Sequence, residues 1–323
     1  MKRRTLTTTL AALCFSGFSA AALAQDWPNK PIRIIVPFSP GGAVDGPTRA
    51  IAQELGKRLK QQVLIENKPG AGATIGSEMV AKAPPDGYTL LLASQTNAIS
   101  ASLYPKLNFQ PIDDFIGISL LGREPGVLVV HPSLPVKSVA ELVAYAKDKP
   151  EQLNYASSGN GSGQHLFMAM FASMANVKLT HVPYRGSGQA TTDLLAGTVP
   201  MAMPGTAAMA KHIKSGKLRA LATSGVSRSP QLPEVPTLAE SGLAGYSAYV
   251  WMGLLAPKGT PAAIIERLHR ELKAVLATPE ITAFMTEAGI ESVGSTPAEM
   301  DTYFREERER WARIVRETGA KID

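Results

Sequence analysis

Strand-like segments in this chain repeatedly end in a run of small residues that leads into a helical pattern. Residues 32–38 form an apolar, β-branched run that stops at Ser39-Pro40-Gly41-Gly42, and a helical pattern follows over residues 47–59. Strands that alternate with helices through short glycine-rich turns are typical of βαβ units and a parallel sheet. The chain is therefore predicted to be an α/β protein.

The same alternation continues over most of the sequence. Further strands are predicted at residues 62–66, 89–93, 127–130, 153–156, 179–184, 199–203, 218–223 and 250–255. Helix starts are predicted where threonine precedes proline, at Thr260, Thr278 and Thr296, with Glu299 completing a capping box in the last of them. Ser138 is expected to cap another helix at Glu141. A chain of 323 residues usually forms two domains, each with its own core.

The first 24 residues have the pattern of an export signal. Lys2, Arg3 and Arg4 precede an apolar segment over residues 10–22, which is too short to span a bilayer, and Ala22-Leu23-Ala24 is a small-residue cleavage site. We expect a cleaved signal peptide at residues 1–24 and a periplasmic protein, exported by the Sec or the twin-arginine route. The alternative is a short uncleaved anchor.

Several function classes lack their sequence signals. Cys14 is the only cysteine and lies in the signal segment, and the five histidines show no metal-binding spacing. There is no nucleophile elbow, Walker A loop or dinucleotide fingerprint after the first strand. The formal charge is +6, half of it in the signal segment, and the remaining basic residues are scattered. We therefore predict no catalytic residues, no metal, no cofactor and no nucleic-acid partner, although a pair of carboxylates that hydrolyses a glycosidic bond would leave no such signal in the sequence.

Four loops combine small residues with the start of a helix, namely residues 39–43, 70–72, 157–163 and 185–188. Glycine lets a backbone approach a ligand closely, and a helix N-terminus offers unpaired N–H groups and partial positive charge. Together they form anion sites without a cationic side chain. A carboxylate suits such a site, although phosphate or another oxyanion also would, and each loop alone could be only a tight turn.

Three side chains near these loops have roles that the sequence leaves open. Phe38 and Tyr184 end strands and could stack on a ligand or pack in a core. Asp45 could cap the first helix, a role that we favour over contact with a ligand.

Four motifs together resemble the substrate-binding receptors of tripartite tricarboxylate transporters, the Bug receptors. They are residues 36–42 with Asp45 and Arg49, residues 66–72 through 86–90, residues 182–186, and residues 193–197. The resemblance covers essentially the whole chain after the signal segment. It implies a type II periplasmic-binding-protein fold, with one lobe formed by residues 25–124 and 250–323 and the other by residues 125–249. It also implies a non-enzymatic receptor that closes around a small carboxylate and serves a two-subunit inner-membrane permease.

The resemblance also implies which residues contact the ligand. The expected contacts are Phe38, Ser39, Pro40, Gly41, Gly42, Ala43, Ser94, Gln95, Ser158, Gly159, Ser162, Gln164, His165, Tyr184 and Thr206. The protein is expected to be monomeric. Two alternatives stay open at this point: a subunit that presents its ligand to a membrane sensor kinase, and a periplasmic hydrolase.

Overall fold

The computed structural model of the chain describes residues 27–41, 44–104 and 106–319. The predicted signal peptide therefore lies outside the described residues, as do Gly42 and Ala43. The eleven strands in the described ranges are β1 Ile32–Val36, β2 Val63–Asn67, β3 Thr89–Ala93, β4 Phe115–Pro125, β5 Val127–Val130, β6 Asn154–Ser157, β7 Thr180–Pro183, β8 Met201–Ala202, β9 Arg219–Thr223, β10 Tyr249–Pro257 and β11 Glu291–Ser292.

Ten α-helices alternate with these strands. They are α1 Asp45–Leu59, α2 Thr74–Ala81, α3 Gln95–Leu103, α4 Val139–Asp148, α5 Gly163–Ala175, α6 Ser187–Leu195, α7 Thr206–Lys214, α8 Ala262–Leu276, α9 Pro279–Glu287 and α10 Pro297–Thr318. Within the described ranges, no helix is long and apolar enough to span a membrane.

The strands form two sheets, which define two lobes. Lobe 1 is built on six strands in the order β11-β4-β10-β3-β1-β2, and lobe 2 on five in the order β7-β6-β8-β5-β9. In lobe 1 the strands β2, β1 and β3 are parallel, and β10 pairs antiparallel with β3. In lobe 2 the strands β7, β6 and β8 are parallel, and β5 pairs antiparallel with β8. This shared plan is the two-lobe type II periplasmic-binding-protein fold that was predicted.

The chain passes between the sheets twice, and one hydroxyl joins the two passages. β4 leads into β5 at Gly126, while the segment after β9 returns through Ala248 to β10. The Ser224 hydroxyl accepts a hydrogen bond from the Gly126 amide (2.7 Å) and donates one to the Ala248 carbonyl. Ser224 is fully buried, so water does not compete for these bonds.

The C-terminal helix α10 contacts both lobes. It packs on α3 and β4 of lobe 1 and on α5 of lobe 2. Trp311 on α10 stacks on Phe167 of α5, with ring centroids 5.6 Å apart. The buried carboxylate of Glu307 accepts hydrogen bonds from the indole N–H groups of Trp251 (2.8 Å) and Trp311 (3.0 Å). A shared core thus lies beneath the space between the lobes.

Local predictions of helix starts are partly confirmed. Thr278 and Thr296 cap α9 and α10 with proline at the first position, and Glu299 completes the capping box. The prediction for Thr260 is wrong, because Pro261 occupies the N-cap of α8 and the buried Thr260 hydroxyl donates to the Pro257 carbonyl instead (2.8 Å). The prediction that Asp45 caps α1 is also wrong, since the N-cap is Val44.

Candidate ligand-binding cleft

A cavity of about 300 Å³ lies between the lobes, where strands β1 to β3 end on one side and β6 ends on the other. In open α/β sheets this edge is where ligands bind. Its lining is Pro37, Phe38, Ser39, Pro69, Gly70, Gly72, Ala73, Thr96, Ser100, Leu103, Tyr104, Ser158, Asn160, Gly161 and Ser162. We call this cavity the cleft.

The described lining of the cleft contains no charged side chain. Hydroxyl groups, an amide side chain and backbone supply its polar atoms, while Phe38, Leu103 and Tyr104 supply apolar surface. An anion in the cleft would therefore be held by neutral donors rather than by an ion pair. Such groups favour a ligand with a compact anionic end and an apolar body.

Lobe 2 contributes the loop of residues 158–162, which we call the amide loop. It connects β6 to the N-terminus of α5, where Ser162 caps the helix by accepting from the His165 amide (3.3 Å). Gly159 and Gly161 have φ angles of +128° and +72°, which L-residues rarely adopt. These glycines turn the backbone sharply, so the loop brings the positive N-terminal end of α5 to the cleft.

Lobe 1 contributes residues 38–41, whose shape is fixed from behind by Asp45. The Asp45 carboxylate accepts from the Gly41 amide (3.0 Å), from Arg49 Nε (2.9 Å) and from Asn67 Nδ2 (2.8 Å). Asn67 Nδ2 also donates to the Phe38 carbonyl (3.0 Å). Burial opposes ionisation of Asp45, but the hydrogen bonds from Arg49, Asn67 and Gly41 outweigh it and lower its pKa to about 2. Asp45 therefore holds the loop as a carboxylate.

The third wall is the short 3₁₀ turn of residues 71–73 and the end of α3 that packs on it. Ala71 and Ala73 have φ angles of 45° and 72°, and the Ser100 hydroxyl donates to the Gly72 carbonyl. A left-handed alanine is strained, and such strain is concentrated at functional sites. Tyr104 lies against Gly72, where a Cβ atom would come within 2.9 Å of the tyrosine ring.

Comparison with known proteins places the chain in a family. The family described as "Tripartite tricarboxylate transporter family receptor" (TctC) matches residues 48–320. The chain belongs to this receptor family. The receptor is 38% identical over 309 residues to protein BugT of Bordetella pertussis, a match that covers 95% of each chain.

Solved structures agree with this assignment. A protein of R. palustris solved with adipate has a TM-score of 0.81 and 34% identity, covering 92% of the receptor and all of that chain. MatC of Rhodopseudomonas palustris with bound malate has a TM-score of 0.78 and 32% identity, and the match covers 89% of the receptor and 99% of MatC. The periplasmic binding protein BugD has a TM-score of 0.78 and 33% identity, covering 91% and 99%. The family and these neighbours are binding receptors rather than enzymes, and they indicate a periplasmic location.

The structure brings four of the predicted contacts of this receptor into the cleft lining, namely Phe38, Ser39, Ser158 and Ser162. Pro40 and Gly41 lie on the exposed loop beside it. Gly159 lies between the lining residues Ser158 and Asn160, and Gln164 follows in the first turn of α5. Contact with a ligand stays a prediction for all eight of these residues. Gly42 and Ala43 cannot be placed, because they lie outside the described residues.

Three other predicted contacts have their polar groups engaged beside the cleft. Ser94 caps α3, accepting from the Thr96 amide at 3.2 Å. The buried Gln95 accepts from the Trp251 amide (3.1 Å) and lies against Gly163, so it joins the returning strand β10 to the start of α5. The buried Thr206 hydroxyl donates to the Pro125 carbonyl (2.8 Å). None of these three lines the described cleft.

The remaining two predicted contacts lie behind the loops. The Tyr184 hydroxyl donates to Asp193 (2.8 Å), and burial together with this carboxylate raises the pKa of Tyr184 to about 12. Asp193 thus braces the loop after β7. The buried His165 lines a separate cavity rather than the cleft. Sequence reasoning did not include Leu103 or Tyr104, because it predicted no helix at residues 95–103.

A buried carboxyl group lies where β4 crosses between the lobes. Glu124 accepts a hydrogen bond from the Ala207 amide (2.6 Å) at the start of α7, and a Cβ atom on Gly205 would come within 2.8 Å of its oxygens. Burial raises the pKa of Glu124 to about 7, and the single amide hydrogen bond offsets this only in part. The neutral form of Glu124 is therefore favoured below about pH 7, at the point where the chain crosses between the sheets.

Proposed function

We propose that this receptor captures a small carboxylate in the cleft by closing its lobes, and delivers it to a two-subunit inner-membrane permease. The observation that carries the proposal is the amide loop, which presents the N-terminus of α5 to a cleft whose described lining is uncharged. Two similar structures contain adipate and malate, both carboxylates. Closure would follow from tighter ligand binding to the closed state than to the open one.

Carboxylates should bind, and their neutral counterparts should not. We expect at least one of adipate, malate and benzoate to raise the melting temperature, while adipamide, malamide and benzamide leave it unchanged. A bound acid at a hundred times its dissociation constant should add about 2.7 kcal/mol to the free energy of unfolding. Thermal unfolding measures the change in melting temperature, and isothermal titration calorimetry measures the dissociation constant. Equal binding of acid and amide would contradict carboxylate recognition, and conversion of the acid to a product would contradict a receptor.

Carboxylate affinity should depend little on salt. Between about 20 mM and about 500 mM sodium chloride, the dissociation constant should change less than about twofold, because the described cleft lining offers no cation whose attraction salt could screen. Titration calorimetry at the two salt concentrations tests this. A tenfold weakening in high salt would place a cationic side chain at the carboxylate instead.

Delivery to the permease is tested by uptake in cells that lack the receptor gene. Import of the labelled acid should fall without the receptor and return with the wild-type gene. A receptor variant that does not bind the acid should not restore import. Unchanged import in the absence of the receptor would contradict a transport role while leaving ligand binding intact.

A further inference from the structure

Two parallel imidazole rings lie directly behind the amide loop. His165 of α5 and His181 of β7 stack with ring centroids 3.9 Å apart and planes 6° apart, and Tyr155 of β6 stacks on His181 at 5.0 Å. His165 is buried and His181 is half-buried. The rings do not line the cleft, so the stack supports the loop from the side away from the ligand.

Each imidazole fixes one glycine of the amide loop. The His165 Nδ1 atom accepts a hydrogen bond from the Gly161 amide (3.1 Å). His181 Nε2 is hydrogen-bonded to the Ser157 hydroxyl (2.6 Å), which in turn accepts from the Gly159 amide (3.1 Å). Gly159 and Gly161 are the residues whose left-handed conformations set the path of the loop.

We propose that His165 and His181 are positioning residues for ligand capture, with His165 Nδ1 holding the Gly161 amide so that the loop keeps the path that brings the N-terminus of α5 to the cleft. This inference rests on the proposed function. It requires the neutral His165 tautomer with hydrogen on Nε2, because only an unprotonated Nδ1 accepts the amide. Removing the acceptor would leave the buried Gly161 amide unsatisfied, and the loop would turn to pair it elsewhere.

The surroundings of the stack keep both rings neutral. Burial lowers the pKa of His165 to about 4, and burial together with the neighbouring His165 lowers that of His181 to about 3. The far side of the stack borders a cavity of about 780 Å³, whose titratable lining groups besides Tyr155 and the two histidines are Glu151, Lys178 and Glu317. Glu151 and Lys178 form an ion pair with each other (3.3 Å), which offsets their charges locally.

Two substitutions of His165 distinguish the effect of its hydrogen-bond acceptor from the effect of its stacked ring. His165→Asn keeps an acceptor oxygen at the position of Nδ1, whereas His165→Phe keeps a stacking ring and loses the acceptor. With adipate as the probe, we expect His165→Phe to weaken binding about tenfold or more and His165→Asn to stay within about threefold of wild type. Equal affinity of the phenylalanine variant and wild type, or equal losses in both variants, would overturn the proposal.

A ligand-free measurement keeps this test separate from the proposed function. In ¹⁵N NMR spectra of the wild-type protein without ligand, His165 should carry its hydrogen on Nε2, and the Gly161 amide should exchange slowly with solvent. In the phenylalanine variant that amide should exchange faster. A His165 tautomer with hydrogen on Nδ1 would overturn the positioning role. If no carboxylate binds the wild-type protein, the proposed function fails, whatever the tautomer.

Discussion

Replacing Ser158 with tryptophan should weaken carboxylate binding at least about 100-fold, a loss of about 2.7 kcal/mol. Ser158 lies in the amide loop on the cleft wall, and an indole there would occupy much of a cavity of about 300 Å³. The side chain is half-buried at the cleft rather than in a core, so the ligand-free protein should keep its melting temperature. Titration calorimetry gives the affinity and thermal unfolding gives the stability.

The neighbouring glycine is a poorer choice for this experiment. Gly159 has a φ angle of +128°, and a Cβ atom there would lie 3.2 Å from the Tyr184 carbonyl, so any substitution would strain the loop itself. Ser215→Trp is the matched control, because Ser215 is exposed at the C-terminal end of α7, outside the cleft lining. Undiminished binding by Ser158→Trp would place the ligand elsewhere. An equal loss in both variants would point to a general effect of the added indole.

Glu124→Gln should make the protein more stable than wild type at pH 8 and leave it nearly unchanged at pH 4.5. The folded-state pKa of about 7 exceeds the ordinary value of 4.5, so the folded protein holds an extra proton between these values. The free energy of unfolding of wild type therefore falls as pH rises through this window. Glutamine keeps an acceptor for the Ala207 amide and does not ionise, so the variant should gain up to about 3 kcal/mol above pH 7.

The difference between the two proteins isolates this group. His165 and His181 have lowered pKa values, so their neutral forms are favoured in the fold and the protein loses stability as pH falls below about 6.5. That opposite trend is common to wild type and variant, and it cancels in the difference. Urea denaturation from pH 4.5 to pH 8.5 measures the difference in the free energy of unfolding between the variant and wild type. Glu266→Gln is the control, because Glu266 is exposed. Parallel stability curves for Glu124→Gln and wild type would show that Glu124 ionises freely in the fold.

The α/β fold followed from the sequence because glycine-rich turns separate its strands and helices clearly. Strand β4 was the main omission. It is buried on both faces and ends in Arg123, Glu124 and Pro125, so it lacks both alternation and an apolar end. Helix α3 was also not predicted, since serine, threonine and asparagine are weak helix formers, and its start depends on the capping box between Ser94 and Asn97. The exact lobe boundaries at residues 124/125 and 249/250 stay a prediction.

The sequence indicated which loops line the cleft, but not which of their side chains point into it. Ser158 and Ser162 line it, whereas His165, in the first turn of α5 after Ser162, faces the opposite way. Short spacing along a loop does not determine which side of the backbone a side chain occupies. The contribution of Tyr104 depends on tertiary packing against Gly72, which no local pattern encodes.

The Ser224 hydroxyl has a mechanical consequence for the lobes. Because it bonds to Gly126 in one crossing and Ala248 in the other, neither crossing can rotate its backbone without disturbing the other. In the proposed closure, the two connections would thus act as one pivot, which favours rotation of the lobes about a single axis over independent twisting or sliding. The amide loop on lobe 2 would then follow one arc toward residues 38–41 of lobe 1, and each such closure would bring the same polar groups to the same part of the ligand.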